Sequence, residues 1–134
     1  MIAVCPTGGF WIAGPDGGVF TFDGAPFLGS LPGLKVTPAR PIVGMAATPD
    51  GKGYWLAGAD GGIFTFGDAP FLGSLPEHPD WNAGTAVDPC IGIAPFRGNG
   101  TPAGGNGYAL ATRDGTAVPG LYRMTGDGKY AKAS

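Results

Sequence analysis

Residues 54–76 read YWLAGADGGIFTFGDAPFLGSLP, and residues 10–32 read FWIAGPDGGVFTFDGAPFLGSLP, a near-copy that lies 44 positions earlier. Seventeen of the 23 aligned positions are identical, and most of the differences exchange side chains of similar size and polarity. Such exchanges are typical of a packed core with a fixed volume. A strand-forming repeat of about 40 to 50 residues indicates propeller blades or a similar array of small β units.

A third, degenerate copy begins at Tyr108, where YALATRDGTAV aligns with the start of the second copy. Ala109 stands where the second copy has Trp55, and the segment APFLGSLP has no counterpart after it. We interpret the chain as a single domain of residues 1–134. Its units are repeat 1 at 1–33, repeat 2 at 41–76 and degenerate repeat 3 at 89–130.

Each unit is predicted to contain four short strands. In repeat 2 the predicted strands are Pro41–Thr48, Gly53–Gly58, Gly62–Phe66 and Pro70–Leu75. Tight turns at residues 49–51 and 60–62 separate the first three, because glycine adopts positive φ without a Cβ clash and aspartate favours such turns. Asp16 and Asp60, which occupy matched positions, are therefore interpreted first as turn residues.

The apolar pattern predicts an all-β fold with sheets covered on both faces. Residues 10–13 (FWIA) are apolar on both sides of the strand. Propeller-like blades of four short strands, each packed between two others, provide that cover. The alternative is a β-trefoil, which closes within one chain but buries mainly one strand face. A propeller has typically about four to eight blades, so three repeats predict an oligomer or a larger assembly.

Composition and charge exclude several classes of partner. The net charge is -2 and charged residues make up 13% of the chain, which gives no general attraction to nucleic acid or to an anionic membrane. No apolar stretch of about 18 residues is present, so we expect no membrane insertion. Residues 97–134 are basic, with five Lys or Arg against two Asp, whereas residues 1–96 carry three basic and eight acidic side chains.

The start of the chain and its two cysteines bear on localisation. Residues 1–11 lack the basic region and long apolar segment of a Sec signal. Cys5 and Cys90 are too few for a disulfide scaffold and lack metal-ligand spacing, so we interpret both as small buried apolar residues, with a single disulfide as the alternative.

The motif GxWLxxxDGGIFxFGDAPFxGS, present at residues 53–74 and less completely at 9–30, resembles repeats of actinobacterial extracellular proteins and of minor tail proteins from phages that infect actinobacteria. Because the chain starts without a Sec signal, it is more similar to the phage proteins than to the extracellular ones. This resemblance implies a structural component of a phage virion, a minor tail or tail-tip protein assembled in the host cytoplasm. Its implied partners are copies of itself, other tail proteins and host cell-envelope polysaccharide.

Residues suited to catalysis or cofactor binding are sparse. The single histidine, His78, lies in a polar loop, and neither Ser30 nor Ser74 lies in a Gly-x-Ser-x-Gly elbow. One histidine and two distant cysteines make no zinc site, and residues 98–107 are not a phosphate-binding loop. We therefore expect no enzyme activity, no metal site and no cofactor.

Glycan binding is the alternative function, because sugars are held by an aromatic face beside amide or carboxylate groups. The candidate contacts are Trp11 with Asp16 and Trp55 with Asp60, although a tryptophan inside an apolar strand is more often part of the core. Trp81 lies in a polar, proline-rich loop outside the repeat. It is a candidate contact to a partner or to a glycan, since exposed tryptophans often anchor interfaces.

Overall fold

The structure is a computed structural model that describes residues 1–71, 74, 90–96, 107–113, 119–125 and 130–133. These residues form an all-β protein of three small antiparallel sheets and one short 3-10 helix at Pro32–Leu34. Sheet 1 contains β1 (Ile2–Val4), β2 (Phe10–Ala13) and β3 (Val19–Phe22). Sheet 2 contains β4 (Ile42–Ala47), β5 (Gly53–Gly58) and β6 (Ile63–Gly67). Sheet 3 contains β7 (Cys90–Phe96), β8 (Gly107–Arg113), β9 (Pro119–Thr125) and β10 (Tyr130–Ala133).

The three sheets correspond to the three repeats, and their strands pair in sequence order. Trp11, Trp55 and Ala109 occupy equivalent places in the second strand, opposite Ala3, Ala46 and Ala94 of the first. The register shifts at the same point in sheets 2 and 3, between Ile42 and Gly44 and between Cys90 and Gly92. Repeat 3 has therefore kept the backbone of the unit after losing its tryptophan.

Sheets 1 and 2 pack face to face through the first core cluster. The Trp11 side of sheet 1 faces Tyr54 and Leu56 of sheet 2, and the Trp11 and Tyr54 rings meet edge to face at 5.2 Å. Trp11 and both sheet 2 side chains are fully buried.

Sheets 2 and 3 repeat this arrangement. The Trp55 side of sheet 2 faces Tyr108 and Leu110 of sheet 3, with ring centroids of Trp55 and Tyr108 5.0 Å apart. The strand β5 is buried along its whole length because sheet 2 is covered on both faces. This confirms, for the middle sheet, the two-sided cover that the apolar pattern predicts.

The predicted fourth strand of the unit is wrong for repeat 1, because residues 26–31 form no strand. The backbone groups of this segment bond elsewhere. The carbonyl oxygen of Pro26 accepts the Trp11 ring N–H at 2.7 Å, the Leu28 N–H donates to the Tyr54 hydroxyl at 3.3 Å, and the Leu31 N–H donates to Gly17 O at 3.1 Å. In repeat 2 the described residues Pro70, Phe71 and Ser74 are likewise outside any strand. Four strands are present only in sheet 3 of the described sheets.

Equivalent backbone bonds also tie each sheet to the next. The Ile42 N–H donates to Pro15 O at 2.8 Å, and the Cys90 N–H donates to Ala59 O at the same distance. Each bond joins the turn after the second strand of one sheet to the first strand of the following sheet. The repeats are therefore linked by two recurrent interactions, the tryptophan packing and this turn-to-strand bond.

Gly44 allows the closest approach between sheets 2 and 3. A Cβ atom at Gly44 would lie 2.8 Å from Ile93 Cγ2 and 3.0 Å from the Ile93 nitrogen, so a larger residue would push β4 and β7 apart. Gly92 is the equivalent position in sheet 3, and a Cβ there would meet nothing within 4 Å. Among the described residues, nothing fills the space at Gly92 on the side of sheet 3 that corresponds to the packed side of sheet 2.

The two ends of the stack differ in composition. The outer face of sheet 1 is apolar, and its side chains are exposed or half-buried; it consists of Ile2, Val4, Phe10, Ile12, Phe20 and Phe22. We call this the sheet 1 outer face. On β7 and β8 the sheet 3 outer face carries small residues, namely Gly92, Ala94, Ala109 and Ala111, and by register β9 adds Leu121 and Arg123 to this face.

Both cysteines are free thiols in the structure and both are buried. Burial raises the pKa of the Cys90 thiol to about 11, so it remains protonated at neutral pH.

No helix in the described part of the chain is long and apolar enough to cross a membrane.

We predict that Trp55→Ala lowers the free energy of unfolding by about 3 to 5 kcal/mol, because a fully buried ring leaves a cavity. Trp55→Phe should cost less, since it fills much of the volume and loses mainly the ring N–H bond to Pro70 O. Chemical denaturation followed by circular dichroism measures both changes.

Phe71→Ala is the control in the same repeat. Its ring is 52% exposed, so the expected change is within about 0.5 kcal/mol. Equal losses for Trp55→Ala and Phe71→Ala would contradict the packing described here.

Candidate functional site

An open groove of about 730 Å³ lies between the β2–β3 turn and the segment that joins repeats 1 and 2. Its volume lies within the usual range for small-ligand sites, about 300 to 1,000 Å³. The lining residues are Pro15, Asp16, Pro32, Lys35, Val36, Thr37, Pro38, Ala39, Arg40 and Pro41. Its walls are thus mainly proline and aliphatic, with three charged side chains.

Local bonds place both sides of this groove. On one side, Asp16 Oδ1 accepts the Gly18 N–H at 2.8 Å and Gly17 has a φ of 84°, which fixes the β2–β3 turn. On the other side, the 3-10 helix ends at Lys35, whose left-handed backbone turns the chain and whose N–H donates to Pro32 O. The Ile42 N–H bond to Pro15 O closes the groove at its base.

The aspartates of the two repeats have the turn role that the sequence indicates. Asp60 Oδ1 accepts the Gly62 N–H at 2.9 Å, as Asp16 does with Gly18, and Gly61 has a φ of 86°. One carboxylate oxygen of each aspartate is therefore engaged by the backbone. Asp16 also lines the groove, and it is the candidate glycan contact that the structure places there.

Trp11 and Trp55 do not line that groove. Their exposures are 0% and 1%, and each ring N–H donates to a proline carbonyl of its own repeat. The structure thus places both rings in the core between sheets rather than on a face that a sugar could stack on. Trp81, the third candidate, lies outside the described residues.

A second, smaller cavity of about 240 Å³ lies at the edge of sheet 2, where Trp55 meets Asp50 and Asp68. The Thr48 hydroxyl lies 2.8 Å from Asp50 Oδ1, 3.1 Å from Gly53 O and 3.2 Å from Asp68 Oδ1, and it donates its single proton to one of them. The Lys52 N–H donates to Asp50 Oδ1 at 2.9 Å. Two carboxyl groups therefore share one cluster of hydrogen bonds.

The two carboxyl groups of this cluster have opposite pKa shifts. The hydrogen bond from Asp68, helped by those from the Lys52 backbone and the Thr48 hydroxyl, lowers the pKa of Asp50 to about 2. The same hydrogen bond, together with burial, raises the pKa of Asp68. Between the two pKa values the pair holds one proton, which lies on Asp68 and is donated to ionised Asp50.

This pair was not predicted from the sequence. The sequence predicts only a turn at residues 49–51, and Asp68 is one residue of the repeat motif. A signal was present in the differences between repeats, because repeat 1 has Asp23-Gly24 where repeat 2 has Gly67-Asp68. Asp23 has a φ of 55° and Gly67 a φ of 66°, so the exchange keeps the left-handed backbone and moves the carboxylate by one residue.

Neither cavity has the donor set of a metal centre. Among the described residues, no three His, Cys, Asp or Glu side chains are grouped where they could hold a metal ion. The groove offers hydrogen-bond donors and acceptors of both charges, which suits a polar ligand held by surface contacts. The aspartate pair joins the β4–β5 turn to the end of β6.

We predict that Asp68→Asn raises thermal stability at pH values above the raised pKa of Asp68. Above the raised pKa of Asp68 both carboxylates are ionised and repel, whereas an amide donates to Asp50 without a charge. The stabilisation that protonated Asp68 gives is complete below its ordinary pKa of 3.8 and is lost as pH rises through the raised pKa. Ionised Asp50 stabilises above its ordinary pKa of 3.8, and that effect is lost as pH falls through about 2.

Melting temperatures measured from pH 3 to pH 8 check this prediction. The variant should lose the part of the decrease that the wild type shows as pH rises through the raised pKa of Asp68. Asp23→Asn, which removes one negative charge from the corresponding turn of repeat 1, is the control. The same change in both variants would show that net charge, and not the pair, is responsible.

Comparison with known proteins does not assign the chain to a family. No protein-family model, curated protein or solved structure matches the chain. The features of the described residues that bear on function are therefore the groove, the aspartate pair and the outer sheet faces.

Proposed function

We propose that this protein is a structural component of a phage virion, a minor tail or tail-tip protein that works by packing its open sheet faces against neighbouring chains. The observation that carries the proposal is the sheet 1 outer face, where Ile2, Val4 and Phe20 are more than half exposed. A solvent-facing sheet normally alternates apolar and polar sides. Here both sides of sheet 1 are apolar.

The internal packing supports the same proposal. The equivalent face of sheet 2, with Met45, Tyr54 and Leu56, is buried under sheet 1. In repeat arrays each unit buries its apolar face on its neighbour, and terminal units of soluble arrays carry a polar outer face. Repeat 1 lacks such a polar face, which favours an assembled state in which another sheet covers it.

The finer architecture belongs to this proposal. First strands of successive sheets contact one another, β1 with β4 and β4 with β7, as the inner strands of propeller blades do. We propose that the sheets are propeller-like blades of an incomplete ring. The sequence resemblance to phage tail repeats supplies the setting, a virion tail whose parts assemble in the host cytoplasm.

Fractionation of virions tests this function. Particles of the phage that encodes the chain are purified on a density gradient and analysed by mass spectrometry, with antibody labelling to locate the protein. We expect the protein in the particle fraction and the label at the tail. A non-structural phage protein, followed through the same gradient, is the control. Recovery of this protein only in the soluble fraction would contradict the proposal.

Binding of an anionic cell-envelope polysaccharide is a second candidate function, and the groove favours it. Lys35 is an exposed cationic side chain on the wall of the groove, and Arg40 and Asp16 also line it. The carboxylate and the Thr37 hydroxyl supply hydrogen-bonding groups for sugar hydroxyls. Tail association and glycan binding are compatible, because they use different surfaces.

Titration with purified host polysaccharide tests the second candidate. Lys35→Ala should weaken binding by about tenfold or more, and added salt should weaken it in the wild type, since exposed charges are screened. Lys52→Ala removes the same charge outside the groove and should leave binding unchanged. Equal effects of the two variants would indicate nonspecific attraction, and absence of wild-type binding would remove this candidate.

A further inference from the structure

We propose that the sheet 1 outer face docks on the sheet 3 outer face of a second copy of this chain, so that two chains close a ring of six sheets. The inference rests on the proposed function, since it names the neighbour that covers the open face. It extends two interfaces already present in the chain, sheet 1 on sheet 2 and sheet 2 on sheet 3. The occupant is therefore another sheet of the same kind.

The contact between sheets 2 and 3 shows how the two outer faces fit. Ile93 of sheet 3 packs against Gly44 of sheet 2, where a Cβ would clash. By register, Ile93 pairs with Leu110 as Ile2 pairs with Ile12, so Ile2 is the equivalent isoleucine in sheet 1. Ile2 is 64% exposed, and the space at Gly92, the counterpart of Gly44, is empty. One end of the chain thus has the projecting side chain and the other end has the space for it.

Repeat 1 and repeat 3 each depart from repeat 2 in sequence, and the two departures agree with each other at the proposed junction. Inside the chain, the Tyr54 hydroxyl donates to Gly29 O and accepts the Leu28 N–H, both in the APFLGSLP segment of the preceding repeat. Repeat 3 has no such segment, and the sheet that would follow it in a second copy has Phe10 in place of the tyrosine. The hydroxyl is missing where its partner segment is missing.

The same agreement holds for the tryptophan. The ring N–H of Trp11 and that of Trp55 each donate to a carbonyl of the APFLGSLP segment. Repeat 3 lacks the segment, and Ala109 replaces the ring, so no indole N–H is left without its acceptor. These paired losses fit a distinct third junction, formed by sheet 3 and the sheet 1 of another copy.

The number of chains follows from the number of sheets. The described residues of each chain form three sheets, so rings of three, six or nine sheets are the first multiples. Propellers have typically about four to eight blades. Of these multiples, the six-sheet ring formed by two chains lies within this range. Both junctions between the two chains are the same contact, as a two-fold axis requires.

Sedimentation equilibrium of the purified full chain tests the inference. We expect the mass of two chains over a wide range of concentration, because a closed ring does not grow. Ile2→Lys places a charge in the junction, and Gly92→Leu fills the space at Gly92. Each should weaken association by at least about tenfold. Leu34→Lys is the matched control, because Leu34 is equally exposed, at 63%, and lies in the 3-10 helix away from both outer faces.

Mixing the two variants separates this arrangement from a face-to-face dimer. The Ile2→Lys chain keeps an intact Gly92, and the Gly92→Leu chain keeps an intact Ile2, so the mixture should recover association through one unaltered junction. Circular dichroism of each variant should match the wild type, since both positions are open in the single chain.

The other outcomes would overturn the inference. A wild-type monomer would do so, and if that monomer is nevertheless found in virions, the proposed function survives with another tail protein on the sheet 1 outer face. A dimer that Ile2→Lys breaks and Gly92→Leu leaves intact would show sheet 1 packed on itself. A mass that increases with concentration would show open polymers. A two-chain ring that is absent from virions would instead contradict the proposed function alone.

Discussion

A buried indole holds each of the first two sheets to the sheet that follows it. Trp11 and Trp55 supply the largest apolar surface of their interfaces, yet each ring also carries an N–H that must find an acceptor once water is excluded. The acceptor is a proline carbonyl 15 residues later in the same repeat. The APFLGSLP segment therefore has to leave the sheet and pass beside the ring, which explains why the tryptophan and this segment recur together.

The dependence of the tryptophan on the APFLGSLP segment also explains why the first and third sheets differ. Repeat 3 keeps the strand pairing and the bulge of the unit but has lost the tryptophan and its acceptor segment together. Sheet 1 keeps an apolar face that, in sheet 2, is covered by the preceding unit. The two outer faces are accordingly unlike each other, because sheet 1 has large apolar side chains whereas β7 and β8 of sheet 3 have small residues. A molecule with such ends is suited to association with a neighbour, and its role in a tail is proposed on that basis.

The aspartates of the repeats have two different structural roles, which depend on their positions. Asp16 and Asp60 both fix a turn through one carboxylate oxygen, and their positions in the repeat are the same. Asp50 and Asp68 belong to repeat 2 alone, and they share hydrogen bonds only because the β4–β5 turn and the end of β6 meet in space. Their opposite pKa shifts follow from these shared hydrogen bonds, whereas Asp16 lines the groove.

The amino-acid sequence by itself determined the repeat, the all-β class, the turns at Asp16 and Asp60 and three of the strands of each unit, because these follow from local periodicity and turn chemistry. It did not determine that residues 26–31 lie outside the sheet, since the bonds that hold them come from Trp11 and from Tyr54 of the next repeat. It also did not distinguish a tryptophan in the core from one that binds sugar. Only tertiary structure decided these points, because the burial of a side chain and the partners of a backbone group depend on residues distant in the chain.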